Sequence, residues 1–185
     1  MDAILLLAGN SHRFGDNKLL FPIDGKPMYR HIFEKIIELN LENIVVVTQY
    51  REIIQDMQSE SVIVVTNPSP EKGQSHSISL GLQALLERNP GSTSCLFSVG
   101  DQPFLTACTL HKLISLHLET PKCITLCGNE TRRGNPVIFP SKYYPELLEL
   151  QGDVGGKQVI INHSEYLDIL LTPEKELEDI DFKVL

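Results

Sequence analysis

Residues 2–20 read DAILLLAGNSHRFGDNKLL, an aliphatic run that breaks abruptly into glycine, small polar residues and two bases. Residues 2–8 carry almost no polar alternation, the pattern of a strand covered on both faces by helices rather than one with a wet side. The residues after them have the chemistry of an anion site. Gly9 and Gly15 let the backbone approach a ligand closely, consecutive loop N–H groups and a following helix start can cradle phosphate, and Arg13 and Lys18 add fixed positive charge. An ordinary turn with solvated bases is the plainer alternative. The coincidence of Gly9, Ser11, Arg13, Gly15 and Lys18 within ten residues outweighs it, and a nucleotide triphosphate is the expected anion. The stretch is not G-x-x-x-x-G-K-[ST], since two residues separate Gly15 from Lys18, nor is it G-x-G-x-x-G, so P-loop ATPase and hydride-transfer chemistry both lose ground.

Similar apolar runs recur along the chain as NIVVVTQ, SVIVVTN, SCLFSVG and KCITLC, and three segments with helical spacing lie among them. KPMYRHIFEKIIEL sets Met28, Ile32, Ile36 and Leu39 on one stripe, with Pro27 suited to a first turn. SHSISLGLQALLERN does the same with Ile78, Leu82 and Leu85, and TACTLHKLISLHLE with Leu110, Leu113 and either Leu116 or His117. This order predicts a single domain over residues 1–185 of the α/β class, with a doubly wound, mostly parallel, Rossmann-like sheet. Ligands of such a sheet lie beyond the carboxyl ends of the strands, so the loops after Leu7, Val47, Thr66 and Val99 become the candidate site. After residue 128 the alternation loosens through RRGNPVIFPSKYYPELLELQGDVGGKQVI, which reads as an insertion or a lid.

Composition narrows the partners. Sixteen basic against 24 acidic residues leave a net charge of −8, which argues against non-specific binding to nucleic acid or anionic membrane. No apolar run reaches membrane-spanning length and the N-terminus lacks a leader pattern, so a cytoplasmic protein is expected. Cys95, Cys108, Cys123 and Cys127 form no C-x-x-C pair and are read as reduced, mostly buried thiols.

Further motifs each carry two readings. In FSVGDQPFLT, Asp101 follows a strand and a glycine, where its carboxylate serves either as a turn cap or as a hard oxygen ligand for Mg²⁺ against substrate phosphates; beside a phosphate loop, metal binding is favoured. Ser75 and Ser77, in EKGQSHSISLGL, either cap a helix or face a base or ribose. Arg132, Arg133 and Lys157 either meet a second anionic group or are surface bases beside a turn, the commoner outcome, and spacing alone does not assign them; Gly134, Gly155 and Gly156 permit tight loops.

Taken in order, these motifs resemble the molybdenum cofactor nucleotidyltransferases, and within them the cytidylyltransferase branch. That branch has a signature of about L-A-A-G-x-S-x-R-M-G-x-x-K-L-L; here it reads LLAGNSHRFGDNKLL, followed by GKPMYRHI, GQSHSISLGL, GDQPFL, GNPVIFP and LQGDVGGKQVI, from residue 3 to about residue 161. The resemblance implies a nucleotidyltransferase fold and Mg²⁺-dependent transfer of a cytidylyl group from CTP to the molybdenum pterin cofactor, with release of pyrophosphate. It further implies a molybdenum hydroxylase apoenzyme as recipient of the product. On this likeness residues 8–13, with Leu7 before them, wrap the triphosphate, and Ala8, Gly9, Ser11 and Arg13 bind it. Lys18 stabilises charge on the α-phosphate, and Asp101 holds Mg²⁺ with a second carboxylate, assigned to Asp181 with Asp179 as competitor. Ser77, with Asn67, falls where relatives contact base or ribose. Ala8 sides with cytidine over the guanylyl pattern L-A-G-G. Leu7 replaces the expected first alanine, Asn135 stands where histidine is common and Lys157 where arginine is. EDIDFKVL departs from the family's D-I-D-T-P-E-D. A guanylyltransferase, a transferase using another phosphate acceptor, and a non-catalytic cofactor carrier are the competing readings.

Overall fold

The computed structural model describes residues 1–9 and 17–180. Along them run β1 (Asp2–Leu7), β2 (Pro22–Ile23), β3 (Lys26–Pro27), α1 (Met28–Glu38), β4 (Ile44–Thr48), α2 (Arg51–Met57), β5 (Ile63–Thr66), α3 (Gln74–Arg88), β6 (Ser94–Val99), α4 (Ala107–Glu119), β7 (Ile124–Gly128), β8 (Arg133–Pro140), α5 (Tyr144–Glu149), α6 (Lys157–Asn162) and β9 (Leu167–Leu171). Strands β2 and β3 form a small antiparallel ribbon. The other seven make one sheet in the order β5-β4-β1-β6-β8-β7-β9. β1 pairs in parallel with β4 through Leu5 and Val46, and with β6 through Leu5 and Ser98. β8 runs antiparallel to both of its neighbours, and β9 is parallel to β7. The architecture is thus a mostly parallel, doubly wound α/β sheet.

Period-two alternation sorts the strand residues onto two cores. Ala3, Leu5 and Leu7 face one side, with Tyr29, Phe33 and Ile36 of α1, Ile53 of α2 and Leu110 of α4. Ile4 and Leu6 face the other, with Ile78, Leu82 and Leu85 of α3, Leu147 of α5 and Val159 of α6. At the end of the α4 stripe it is His117 that turns inward; its Nδ1 meets Thr125 Oγ1 at 3.0 Å, and burial holds its pKa below the usual value. Between α1 and α2, the Tyr29 hydroxyl and the Arg30 guanidinium both donate to Asp56, whose carboxyl is held below the usual range, chiefly by Arg30.

Of the two readings of the stretch after residue 128, the insertion holds for its first part: β8 enters the sheet between β6 and β7, with Val137 opposite Phe97 and Ile138 opposite Thr125. One expectation needs correction, because the cysteines are not mostly buried: Cys108 is exposed and Cys123 half-buried, while Cys95 and Cys127 lie in the core. Among the described residues no helix is long and apolar enough to cross a membrane.

Helix α3 packs tightly on the sheet at Gly81, where a β-carbon would lie 2.8 Å from Ile4 Cγ2 and 2.9 Å from Val47 Cγ2. Those methyls sit on β-branched side chains with little rotamer freedom. Gly81→Ala therefore loses about 1–3 kcal/mol by overpacking, against a gain of at most about 1 kcal/mol in helix propensity. The expected result is a lower urea midpoint at unchanged m-value; a midpoint at or above that of the wild type would contradict the packing.

Candidate active site

β4 and β5 lie on one side of β1 and β6 on the other. Successive connections leave β1 in opposite directions, and a crevice opens between the carboxyl ends of β1 and β6. One wall is Ala8 and Gly9, the other Gly100 and Asp101. Gly100 has no space for a side chain, since a β-carbon would lie 2.4 Å from Leu7 Cδ2 and 2.9 Å from Leu19 Cδ2. This contact seats the loop after β6 against the single 3-10 turn at Lys18–Leu20, which Asn17 caps by accepting from the Leu19 amide at 3.1 Å. The result is an ion pair. Lys18 Nζ donates to Asp101 Oδ2 at 2.7 Å, with the two side chains only 14% and 21% exposed.

The other oxygen of that carboxylate, Asp101 Oδ1, is buried and has no hydrogen-bond partner among the described residues. A buried carboxylate oxygen without a donor is costly, and in a crevice it calls for a cation or a ligand donor. Asp179 lies close by. Its Oδ1 accepts from Gln102 Nε2 at 2.9 Å and its Oδ2 from Arg132 Nη2. Burial, and then the charge of Asp101, push its carboxyl above the usual range, with Arg132 and Gln102 opposing the shift. Two mutually repelling carboxylates with one undonated oxygen fit a hard divalent cation. No cluster of three or more His, Cys, Asp or Glu occurs among the described residues, so such a cation would take its remaining ligands from water and substrate phosphate, the usual habit of Mg²⁺. Asp181 lies outside the described residues, as do Ser11, Arg13 and Gly15.

Two cavities meet at this point. The first, 770 Å³, is lined by Ala8, Gly9, Lys18, Ser77 and Asp101 among others. Its β1 wall is braced from the β4 side, where Gln49 Nε2 donates to the Ala8 carbonyl at 3.0 Å and the Tyr50 hydroxyl to that of Gly9. Leu7 turns into the core, fully buried, and it is Leu6 that lines the cavity. Asn67 is likewise set back. Its Nδ2 donates to Ser77 Oγ at 3.0 Å while its Oδ1 accepts from the Ser69 amide at 2.9 Å, so it orients Ser77, which faces the cavity. Neither serine caps α3 through its side chain: the cap residue is Gly73, and Ser75 Oγ instead donates to the Gly152 carbonyl at 2.7 Å.

The second cavity, 630 Å³, has an apolar floor that includes Phe97, Val137 and Phe139, and a polar rim of Arg132, Arg133, Lys157 and Asp179. It shares Leu6, Gln74 and Asp153 with the first. The shared wall is a docked loop: Asp153 Oδ1 accepts from the Gln74 amide at 3.3 Å, and the Ser75 amide donates to Gly152 O at 3.4 Å. Gln74, Gln102 and Asp153 do not stand out in the sequence. Their only signal is membership of the motifs GQSHSISLGL, GDQPFL and LQGDVGGKQVI, because bonds between segments 79 positions apart leave no local pattern.

Over residues 3–166 the chain matches the family model of the MobA-like NTP transferase domain, and it belongs to that family. It is 26% identical over 190 residues to purine catabolism protein PucB of Bacillus subtilis (strain 168), covering 96% of this chain and 90% of PucB. Among solved structures, a nucleotidyl transferase from Methanothermobacter thermautotroptrophicus (Mth528) superposes with a TM-score of 0.80 at 20% identity, over 98% of this chain and 91% of that one. The manganese complex of Rv0371C from Mycobacterium tuberculosis H37Rv does so with a TM-score of 0.73 at 19% identity, over 92% and 87%. At these identities the structures establish the fold.

The wall between the cavities depends on Gly73, which has φ +84° and would place a β-carbon 2.5 Å from Asp153 Cα. Backbone cannot yield as a side-chain tip can. Gly73→Ala is expected to cost about 1–3 kcal/mol and to detach the 152–153 turn from α3. Limited proteolysis reads this as faster cleavage within residues 150–156; an unchanged cleavage pattern would refute the docking of this turn.

Proposed function

We propose that this member of the MobA-like NTP transferase family transfers a cytidylyl group from CTP to the terminal phosphate of the molybdenum pterin cofactor, releasing pyrophosphate. The observation that carries the reading is the Lys18–Asp101 pair at 2.7 Å, which lines a cavity continuing the β1 loop, and that cavity shares a wall with a second one that has an apolar floor and a basic rim. A donor triphosphate suits the first, and a fused ring bearing a phosphate suits the second.

In the reaction an oxygen of the acceptor phosphate attacks the α-phosphorus of CTP, a new P–O bond forms, and the bond from the α-phosphorus to the bridging oxygen breaks with pyrophosphate leaving. The acceptor phosphate is already ionised near neutral pH, so no general base is required, and the protein's task is positioning and charge. Residues 8–13 wrap the triphosphate, with Ala8 and Gly9 at the cavity wall and Ser11 and Arg13 further along the same loop, while Leu7 supports them from the core. Lys18 places its ammonium where charge grows on the α-phosphate. Ser77, aimed by Asn67, meets base or ribose. Asp101, with Asp181 or Asp179, holds Mg²⁺, which when bound neutralises phosphate charge and polarises the α-phosphorus. Arg132, Arg133 and Lys157 receive the acceptor's phosphate.

Two observations support the particulars. Ala8 follows the cytidylyl pattern. The manganese complex of Rv0371C speaks for a divalent ion on this fold. The relative PucB is named a purine catabolism protein, and a molybdenum hydroxylase is the recipient proposed for the product.

The test is transfer of label from α-³²P nucleotides to the pterin cofactor with Mg²⁺, comparing CTP with GTP, ATP and UTP. Transfer from CTP alone is expected. Transfer from GTP would move the base assignment to the guanylyl type, and binding without any transfer would favour a carrier or another acceptor. Asp101→Asn should lower turnover by roughly 10²–10³-fold or more with the fold intact, and activity preserved in that variant would remove the metal assignment. Lys18→Ala should lower kcat by about 10²-fold with less effect on nucleotide affinity, since its role lies in the transition state. A defect confined to affinity would contradict that role.

A further inference from the structure

Arg132 reaches the second cavity already engaged, because its Nη2 donates to Asp179 Oδ2. The backbone that carries it is fixed separately: Asn129 Oδ1 accepts from the Thr131 amide at 3.0 Å and from the Arg132 amide at 2.8 Å. What Asp179 holds is therefore the guanidinium, not the turn. Asp179 in turn is tied to the residues beside Lys18. Gln102 Nε2 donates to it at 2.9 Å, and the amide of Ile180 donates to the Asp101 carbonyl at 3.0 Å. Leu177 and Ile180 are buried and anchor this segment on both sides of Asp179. The carboxylate that occupies Arg132 is thus zipped to the loop whose own carboxylate has an undonated oxygen.

We propose that Arg132 is a reserve residue for the acceptor's phosphate, held by Asp179 until a divalent cation seats on Asp101, draws the Asp179 carboxylate to itself and releases the guanidinium to the cavity. The inference rests on the proposed assignment of the cation to Asp101. A guanidinium and a dication compete for the same carboxylate lone pairs, and whichever binds displaces the other. The pair is easily broken, because the Arg132 and Asp179 side chains are 43% and 31% exposed and an ion pair so wet is worth little. A pair that costs little to break lets a modest differential affinity shift the population. The consequence is an order of binding: the cation, arriving with the nucleotide, prepares the second cavity for an anion. Linkage makes the effect reciprocal.

The whole chain is titrated with Mn²⁺ alone, with neither nucleotide nor acceptor, and free Mn²⁺ is followed by electron paramagnetic resonance. Arg132→Ala is expected to tighten Mn²⁺ binding about two- to fivefold, the range that a half-exposed ion pair permits. Arg133→Ala removes an equal charge from the same rim, has no hydrogen bond to Asp179 among the described residues, and is expected to shift binding distinctly less. In Asp179→Asn the Arg132 effect disappears, which a double-mutant cycle reads directly. A second readout is modification of Arg132 by phenylglyoxal, mapped by mass spectrometry: Mn²⁺ accelerates it in the wild type and has no effect in Asp179→Asn, where the residue is already released. Equal shifts for the two arginine variants, or a modification rate indifferent to Mn²⁺, would overturn the proposal. Asp101→Asn separates the cation site from the arginine's release. Mn²⁺ binding that survives it sinks the cation assignment and the inference together, whereas binding that is lost there yet insensitive to Arg132 sinks the inference alone.

Discussion

The parallel pairing of β1 with β4 on one edge and with β6 on the other dictates where this chain can place charge. β1 is packed on both faces, with its six residues at most 8% exposed and Asp2 bonded at the opposite end from the site. A slip by one residue would exchange Leu5 and Leu7 for Ile4 and Leu6 between the two cores, so the register is strongly specified. With the register set, Leu6 is opposite Val99 and the loops after the two strands leave side by side. Lys18 and Asp101, 83 positions apart, then meet at hydrogen-bond distance. The ion pair is a product of sheet topology, and Gly100 is the local concession that lets the two loops touch.

Much of that topology is legible in the sequence because strands buried on both faces announce themselves as unbroken aliphatic runs. β1, β4, β5, β6 and β7 are all visible in this way, as are α1, α3 and α4 through their stripes. β8 is not. Its sequence RGNPVIFP contains one glycine and two prolines, which read as loop, and only Val137, Ile138 and Phe139 have strand character. The structure accommodates them by setting Pro140 at the end of the strand and by a register irregularity on β7 between Leu126 and Cys127. α2, at seven residues, and β9, at five, are too short for periodicity to stand out.

The site is legible in proportion to how local its signals are. Gly9, Lys18 and Asp101 can be found because each lies in a loop that leaves a strand end, where fold-level reasoning says to look. Side-chain direction is less readable. Leu7 and Asn67 stand at the right strand ends, yet the first packs into the core and the second stands behind Ser77. The wall formed by Gln74 and Asp153, and the contact of Asp179 with Gln102 and Arg132, join segments distant in sequence, and no spacing rule reports them.

On the proposed function, a chain with net charge −8 must receive two phosphate-bearing ligands against an overall field that repels them. Local bases can overcome this only if they are not dispersed over the surface, where any small anion would occupy them. Here Lys18 and Arg132, one in each cavity, are both matched to aspartates, and those two aspartates sit on segments bonded to each other through Gln102 and Ile180. Carboxylates that neutralise the bases in the resting protein are also the groups best suited to a divalent ion. On the proposed exchange, a cation that takes up the Asp179 carboxylate frees Arg132, so that anion binding in the second cavity is tied to cation binding at Asp101.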